Sequence, residues 1–289
     1  MKKVYYFNML IAALVALLCA LVAVTNGDEL SDLRRHVETL SSDEMGTRVA
    51  GSESMEKAIE YVESEIRALG LRPLKQKVKV NKGTCSNVVM TLDGGKPRIV
   101  VGAHLDASDG RSRDVYNGAD DNASGCAIVL ALARRLRGSK PACTLEFHFY
   151  TGEEEGMKGS RTYVKAPLVG LEQYRFMLNL DMVGRLKEKQ LIGRDEFEYD
   201  AVFNTLYDRY LFAERITWCE NTNDSDHAAW WEVNIPAVIV HTGLHDEYHT
   251  PDDDADKIDY DGMIKVLDYS EAIVRGVMQK LTPVDYKLR

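Results

Sequence analysis

The stretch "ACTLEFHFYTGEEEGMKGS", residues 142–160, decides how the chain is read. An apolar, β-branched and aromatic run ends at Gly152, and Glu153, Glu154 and Glu155 follow at once. The run has the pattern of a buried strand. Three like charges at its mouth are either a solvated turn or the lining of a site that holds something positive. The sequence on either side bears on that choice.

Before it, "PRIVVGAHLD" (97–106) is a second short buried-strand pattern, and "ASGCAIVLALARRL" (123–136) is a helix with a strong apolar face. After it come "GSRTYVK" (159–165), a helical turn, then "RFMLNLDMVG" (175–184), a strand. "EYDAVFNTLYDRYL" (198–211) follows as a helix, then "IPAVIV" (235–240) as a strand and "YDGMIKVLDYSEAIVRGVMQKL" (260–281) as a closing helix. Further upstream, "MEKAIEYVESEIRALG" (55–70) places Ile59, Val62, Ile66 and Leu69 on one helical face and stops at Gly70. "LRPLKQKVKV" alternates like a strand, "SNVVMTL" reads as the next, and "DGG" turns the chain. Strands alternating with helices predict an α/β fold, a mostly parallel mixed β-sheet sandwiched between helices. No repeat or Pro/Gly/Ser-rich linker divides it, so a single domain is expected. Residues from Asp28 to about Leu69 form a helical prelude packed on that domain.

The 289 residues are 45% hydrophobic and 28% charged, a globular composition, with a formal net charge of −9. That balance argues against nucleic acid as a partner. The N-terminus, "MKKVYYFNMLIAALVALLCALVAV", sets two lysines before an apolar run and small residues, the layout of a secretory signal. Cleavage between Ala23 and Asp28 would leave residues 1–27 as the signal and 28–289 as the mature domain, exported to the periplasm or beyond, with no membrane association afterwards. Cys19 lies in the run, but Leu18 before it is a poor residue for lipoprotein processing. Cys85, Cys126, Cys143 and Cys219 fit no C-x-x-C metal knuckle, and the sequence does not pair them. Cys126 and Cys143 sit in apolar elements and read as buried thiols.

In an open α/β sheet, ligands gather beyond the carboxyl ends of the strands. There the sequence places His104 and Asp106, Glu153 to Glu155, Asp181, and the loop "HTGLHDEYHTPDDD" with His241, His245 and His249. The loop "NGADDNASG" sets Asp120 and Asp121 before a helix. Each has a plain structural reading when taken alone: a helix cap, a solvated turn, a proline turn with acids favoured by a helix dipole. Together they put too many carboxylates at one sheet edge without raised pKa values or a counter-cation. Histidine mixed with carboxylate points to zinc or a similar metal, and two ions sharing one bridging carboxylate would hold that charge economically.

Six motifs, "VVGAHLD", "GADDNASG", "GEEEGMKGS", "LNLDMVG", "SDHAAWWEVNIPAVIV" and "EYHTPDD", resemble in content and order those of the zinc exopeptidases. That family (clan MH) includes bacterial leucyl-type aminopeptidases, glutamate carboxypeptidases and glutaminyl cyclases. The resemblance runs from about Leu40 to Leu281 and is nearest to the single-domain secreted dizinc aminopeptidases. It implies that Asp121 bridges two zinc ions, one also held by His104 and Asp181, the other by Glu154 and His249. It implies Glu153 as general base and Asp106 as the group that orients His104. Glu155 stands where similar sequences usually carry an apolar residue, which leaves pocket charge open. Asp226, His227 and Tyr248 are candidates for substrate binding, and His241 and His245 for further loop contacts. Of Trp230 and Trp231, at least one belongs in the core. His148, inside a strand, reads as structural.

The expected activity is removal of N-terminal residues from peptides by a metal-activated water. A glutaminyl-cyclase-like acyltransferase is the alternative, though Tyr248 before His249 and the short "GEEEGMKGS" loop favour the hydrolase. A carboxypeptidase would need cations for the substrate carboxylate, and Arg161, Arg185 and Arg194 lie near motif loops. A non-catalytic binding protein would have lost ligands that this sequence keeps.

Overall fold

A computed structural model describes residues 28–110, 114–139, 141–186 and 223–281, with the short strands at 191–192 and 216–217. The stretch read as a leader (1–27), the helix expected over 198–211, Arg194 and Cys219 lie outside the described residues.

Helix α1 (28–40) leads to α2 (Glu53–Ala68). Ser52 caps α2 by accepting the Met55 N–H, Glu53 and Glu56 occupy its first turn, and Arg67 its last. Gly70 adopts φ 77 just past its end, a left-handed conformation that glycine reaches without a Cβ penalty. The buried side of α2 is Met55, Ala58, Ile59, Val62 and Ile66. Strands β1 (Leu74–Val80) and β2 (Gly83–Leu92) form a hairpin, and β2 starts three residues earlier than the hydrophobic run alone implies. Then come β3 (Arg98–His104), α3 (Gly125–Leu136), β4 (Thr144–Tyr150), α4 (Lys158–Lys165) and β5 (Tyr174–Leu180). The stretch read as a helical turn is thus an eight-residue helix. A two-strand pair, β6 (Leu191–Ile192) and β7 (Ile216–Thr217), precedes α5 (His227–Trp231), β8 (Ala237–Val240) and α6 (Tyr260–Leu281).

The main sheet has six strands in the order β1-β2-β4-β3-β5-β8. β4–β3, β3–β5 and β5–β8 pair in parallel, while β2 runs against both of its neighbours. The mostly parallel mixed sheet read from the sequence is therefore the one observed. β4, buried along its whole length, lies inside the sheet. β1, at the edge, turns Lys75, Lys77 and Lys79 outward, the charge pattern that discourages edge-to-edge pairing.

One face of the sheet packs Val101, Ala103, Phe147, Phe149 and Leu178 against α1, α2, α3 and α6. The other carries Val100, Tyr150, Met177, Tyr163 and Trp230 under α4 and α5. This second face also buries polar groups. Burial holds His148 below its ordinary pKa, so the ring is neutral. Its two nitrogens lie 2.8 Å from Tyr150 OH and 3.0 Å from Glu146 Oε2. Glu146 also accepts from Tyr163 OH and Arg98, and Trp230 Nε1 donates to Tyr150 OH at 3.1 Å. His148 is structural, as its place in a strand implies, and the chain of bonds fastens α5 to the sheet through Trp230. Trp230 is core; Trp231 is half-buried, with Nε1 donating to Ala237 O.

On the first face, His36 of α1 is buried beside Tyr61 OH (2.8 Å), and burial together with Arg35 pushes its pKa down to about 4. The unfolded chain takes up this proton below about pH 6.5. Stability linked to His36 is therefore intact above that pH and falls by roughly 3 kcal/mol as pH drops toward 4. His36→Gln should make urea-unfolding stability less steep between pH 7 and 4.5. An identical slope in wild type and variant would contradict the assignment.

Candidate metal centre

β3 is followed by α3 and β4 on one side, whereas β4 is followed by α4 and β5 on the other. The sequence of strands thus reverses beside β3, which opens a crevice at the carboxyl ends of β3, β4 and β5. Into it run His104 from the end of β3, Asp121 from the 117–124 loop, Glu153 and Glu154 after β4, Asp181 after β5, and His249 from the loop after β8.

Asp121 lies between two imidazoles. His104 Nε2 is 3.2 Å from Asp121 Oδ1 and 3.3 Å from Asp181 Oδ1. His249 Nε2 is 3.1 Å from Asp121 Oδ2 and 3.2 Å from Glu154 Oε1. Two donor sets follow, His104–Asp121–Asp181 and Asp121–Glu154–His249, with Asp121 common to both. Tetrahedral zinc with bonds of about 2.0–2.1 Å places its ligand atoms about 3.3–3.4 Å apart. The observed spacings fit that shell, and Glu154 Oε1 is buried with His249 Nε2 near it but outside hydrogen-bonding geometry. The residues therefore fit the ion.

The neighbours of these groups explain their placement. In "ADDNAS", Asp120 Oδ1 accepts the Gly184 N–H (2.6 Å), and Asn122 bridges Leu180 O and the Gly125 and Met182 amides. The flanking residues tie the loop to the end of β5 and leave Asp121 to face the crevice. Gly118, at φ 55, begins this loop, and a Cβ there would collide with Asp121 O. Asp253 accepts the Asp120 and Asp121 amides at 3.0 Å each. Ser225 Oγ donates to Asp181 Oδ2 at 2.6 Å and itself receives Asn179 Nδ2 at 2.7 Å. Asp253 and Ser225 were not singled out from sequence, though each lies inside a quoted motif. Helix α6 begins only at Tyr260, and two acids of "HTPDDD" anchor loops instead: Asp253 as above, and Asp254 by accepting Asn117 Nδ2 at 2.7 Å.

Asp106 faces His104 and has a second task besides. His104 Nδ1 meets the Asp106 main-chain carbonyl at 3.1 Å, while the carboxylate is 3.7 Å away. That carboxylate also accepts the Glu153 and Glu154 amides, 3.2 Å each, and so positions the turn after β4. Glu155 faces away from the crevice: its Oε2 accepts the Asn81 N–H at 2.7 Å and pairs with Lys158 at 2.6 Å, anchoring the β1–β2 hairpin. The three glutamates of the opening stretch thus have three separate surroundings.

Burial lifts Glu153 well above the ordinary carboxyl range, and Asp226 and Asp181 add to the effect against the opposing pull of His104. Glu154 is raised too, mainly by burial. Asp226, fully buried, is pushed up to about 7 by burial. Burial would raise Asp121, yet its hydrogen bonds to His104 and His249 hold it well below the usual range. Burial would likewise lower the two imidazoles, but the carboxylates around them win: His104 is raised well above its ordinary value and His249 to about 10.

The other candidates disperse. Tyr248 stacks on His249 with ring centroids 3.8 Å apart and stays at the centre. His227 is buried edge-on against Trp231 (4.4 Å). His245 is 3.2 Å from Asp120 Oδ2 and from Glu247 Oε2, beside the crevice loop. His241 closes β8, its Nδ1 accepting the Gly243 N–H at 3.2 Å. Arg161 pairs with Glu232 (2.7 Å) and Arg185 with Glu247 (3.3 Å), so both are engaged by acids. Cys85, Cys126 and Cys143 are buried free thiols.

A sequence profile of peptidase family M28 matches residues 87–274. The chain belongs to peptidase family M28. The matched span holds every M28 candidate ligand named above, from His104 to His249. A probable leucine aminopeptidase of Arthroderma otae is 29% identical over 236 residues, covering 74% of this chain; the chain spans 63% of that protein's length. A zinc aminopeptidase from Bacillus subtilis superposes with a TM-score of 0.78 at 16% identity, over 86% of this chain and 95% of that one. A glutaminyl cyclase from Bacteroides thetaiotaomicron superposes with a TM-score of 0.73 at 20% identity, over 85% and 97%. These two structures share the fold.

Zinc ligation requires neutral imidazole, so the metal must displace any proton on His104 and His249. With His249 raised to about 10, the ring is protonated at neutral pH in the metal-free protein. Zinc affinity should therefore fall as pH drops from 9 to 6. Calorimetry in two buffers of different ionisation enthalpy should show about one proton released per ion. Binding without proton release would mean that the rings are already neutral.

Proposed function

We propose that this chain is an exported zinc aminopeptidase that hydrolyses N-terminal residues from peptides, with two ions held by His104, Asp121, Asp181, Glu154 and His249. The observation that carries the reading is a half-buried Glu153, its pKa raised by desolvation, beside two donor sets that share Asp121. The lysine-led apolar stretch at 1–27 supports export of a single peptidase domain, 28–289.

When bound, zinc lowers the pKa of water toward about 7 and draws charge from the scissile carbonyl. Glu153 takes the proton from the attacking water at its carboxylate and later delivers it to the leaving amine. Burial and the neighbouring carboxylates raise its pKa toward that of the groups it serves, which suits a residue that must both accept and return a proton. Asp106 fixes where Glu153 stands by accepting its amide. Tyr248, stacked on His249, is the aromatic surface next to that ligand and is proposed to meet the substrate side chain.

The side chains gathered at the centre favour the amino terminus of a peptide: Asp106, Asp121, Glu153, Glu154, Asp181 and Asp226 are acids that can accept from a substrate ammonium and offer a substrate carboxylate no cationic donor. Arg161 and Arg185, the described cations once considered for a carboxylate, are paired with Glu232 and Glu247.

Mass spectrometry of peptides incubated with the mature protein tests this reading. Free N-termini should be trimmed sequentially and acetylated peptides left intact. Loss of ammonia from an N-terminal glutamine without shortening would mean a cyclase, and C-terminal trimming of acetylated peptides a carboxypeptidase. Glu153→Gln should lower kcat by at least about a hundredfold while keeping zinc content, the contribution of a lost general base. A variant with full activity would remove Glu153 from the mechanism.

A further inference from the structure

Arg48 belongs to none of the strand-end motifs and lies upstream of the segment matched by M28. Its side chain is completely buried. The guanidinium donates to four main-chain carbonyls: Nε to Leu105 O (2.9 Å), Nη1 to Leu40 O (2.7 Å) and Asn117 O (2.6 Å), and Nη2 to Gly118 O (3.0 Å). Its own carbonyl accepts the Ala107 N–H at 3.2 Å. One residue thus joins the end of α1, the exit of β3 beside His104 and Asp106, and the start of the loop that carries Asp121.

A buried arginine costs several kcal/mol in lost hydration unless charge and hydrogen bonds compensate. Carbonyl dipoles meet its donors; burial lowers its pKa, and Asp253, Asp121 and Asp106 offset part of that through space. Asp253 grips the same loop from the other direction, taking the Asp120 and Asp121 amides on its carboxylate and the Ala119 amide on its carbonyl. The carbonyls of 117–118 are drawn to a cation and the amides of 120–121 to an anion. The loop is held at both polarities, and neither holder is among the five ligands. Arginine is the side chain suited to this place: its rigid fork reaches several acceptors at once, whereas the compact ammonium of lysine cannot.

We infer that Arg48 is a positioning residue for the metal centre, a fixed internal cation that holds the Asp106 and Asp121 loops in ligating geometry before any metal arrives. The inference rests on the zinc peptidase reading and adds to it a preformed site.

The test uses the mature full-length protein, with zinc affinity measured by chelator competition and kcat and KM measured at saturating zinc. Arg48→Met should weaken zinc binding at least tenfold and lower kcat with KM near wild type, because the ligands shift while the substrate pocket does not. Arg48→Lys restores the charge without the four-way fork, so zinc affinity should recover in part while kcat stays low. A folded Arg48→Met with wild-type zinc affinity and kcat would overturn the assignment. If the variants do not fold, amide hydrogen exchange on wild type decides. Protection at Ala119, Asp120 and Asp121 should be the same in zinc-free and zinc-loaded protein. Protection that appears only with zinc would mean that the metal, not Arg48, orders the loop. A wild type that binds no zinc would overturn the peptidase reading; in that case lower protection at Ala119, Asp120 and Asp121 in Arg48→Lys than in wild type would still support the role of Arg48, and equal protection would overturn it.

Discussion

Every part of this molecule near the crevice answers to one constraint: Asp121 must stay ionised in a place already crowded with carboxylates. Two unit charges about 4 Å apart repel by about 4 kcal/mol at the effective dielectric of a protein surface. A few such pairs equal the whole stability of a typical domain, about 5–15 kcal/mol. The imidazoles of His104 and His249 sit on either side of Asp121, and Arg48 lies behind it. Protons on those rings supply in the metal-free protein the positive charge that zinc would supply in the loaded one. Raised imidazoles, a depressed Asp121 and a raised Glu153 are one balance of charge seen from different atoms.

The fold makes that balance possible by deciding which loops meet. Parallel strands end at the same edge, and the reversal of strand order beside β3 opens a crevice there. Apolar packing of α1, α2, α3 and α6 fixes the sheet from one face. On the other face, the Glu146–His148–Tyr150–Trp230 chain fastens α5, and α5 follows directly on Ser225, which holds Asp181. Burial in the body of the sheet is thereby converted into the orientation of single carboxylate oxygens at its edge.

Much of this was legible in sequence because the chemistry is concentrated. Buried strands such as "RIVVGAH" and "FMLNL" end in residues that a core would not tolerate, so the strand ends announce themselves. The "DDNAS" loop was legible as a unit and the family resemblance singled out Asp121 within it; the residue types alone do not, because which acid faces the crevice depends on a hydrogen bond between Asp120 and Gly184, sixty-four residues away. Asp253 hid among acids with an ordinary turn explanation. Arg48 gave no signal, since its partners are backbone carbonyls and any sequence supplies those. Glu155 and Asp106 show the same limit from the other direction. Their residue type suggested a role, and only the geometry revealed that each serves a backbone amide.

The central claim is that Asp121 sits between two ions. Anomalous diffraction at the zinc edge from crystals of the zinc-loaded protein tests it most directly. Two peaks are predicted, one touching His104, Asp121 and Asp181 and the other touching Asp121, Glu154 and His249. A single peak, or two peaks that do not both contact Asp121, would contradict the account.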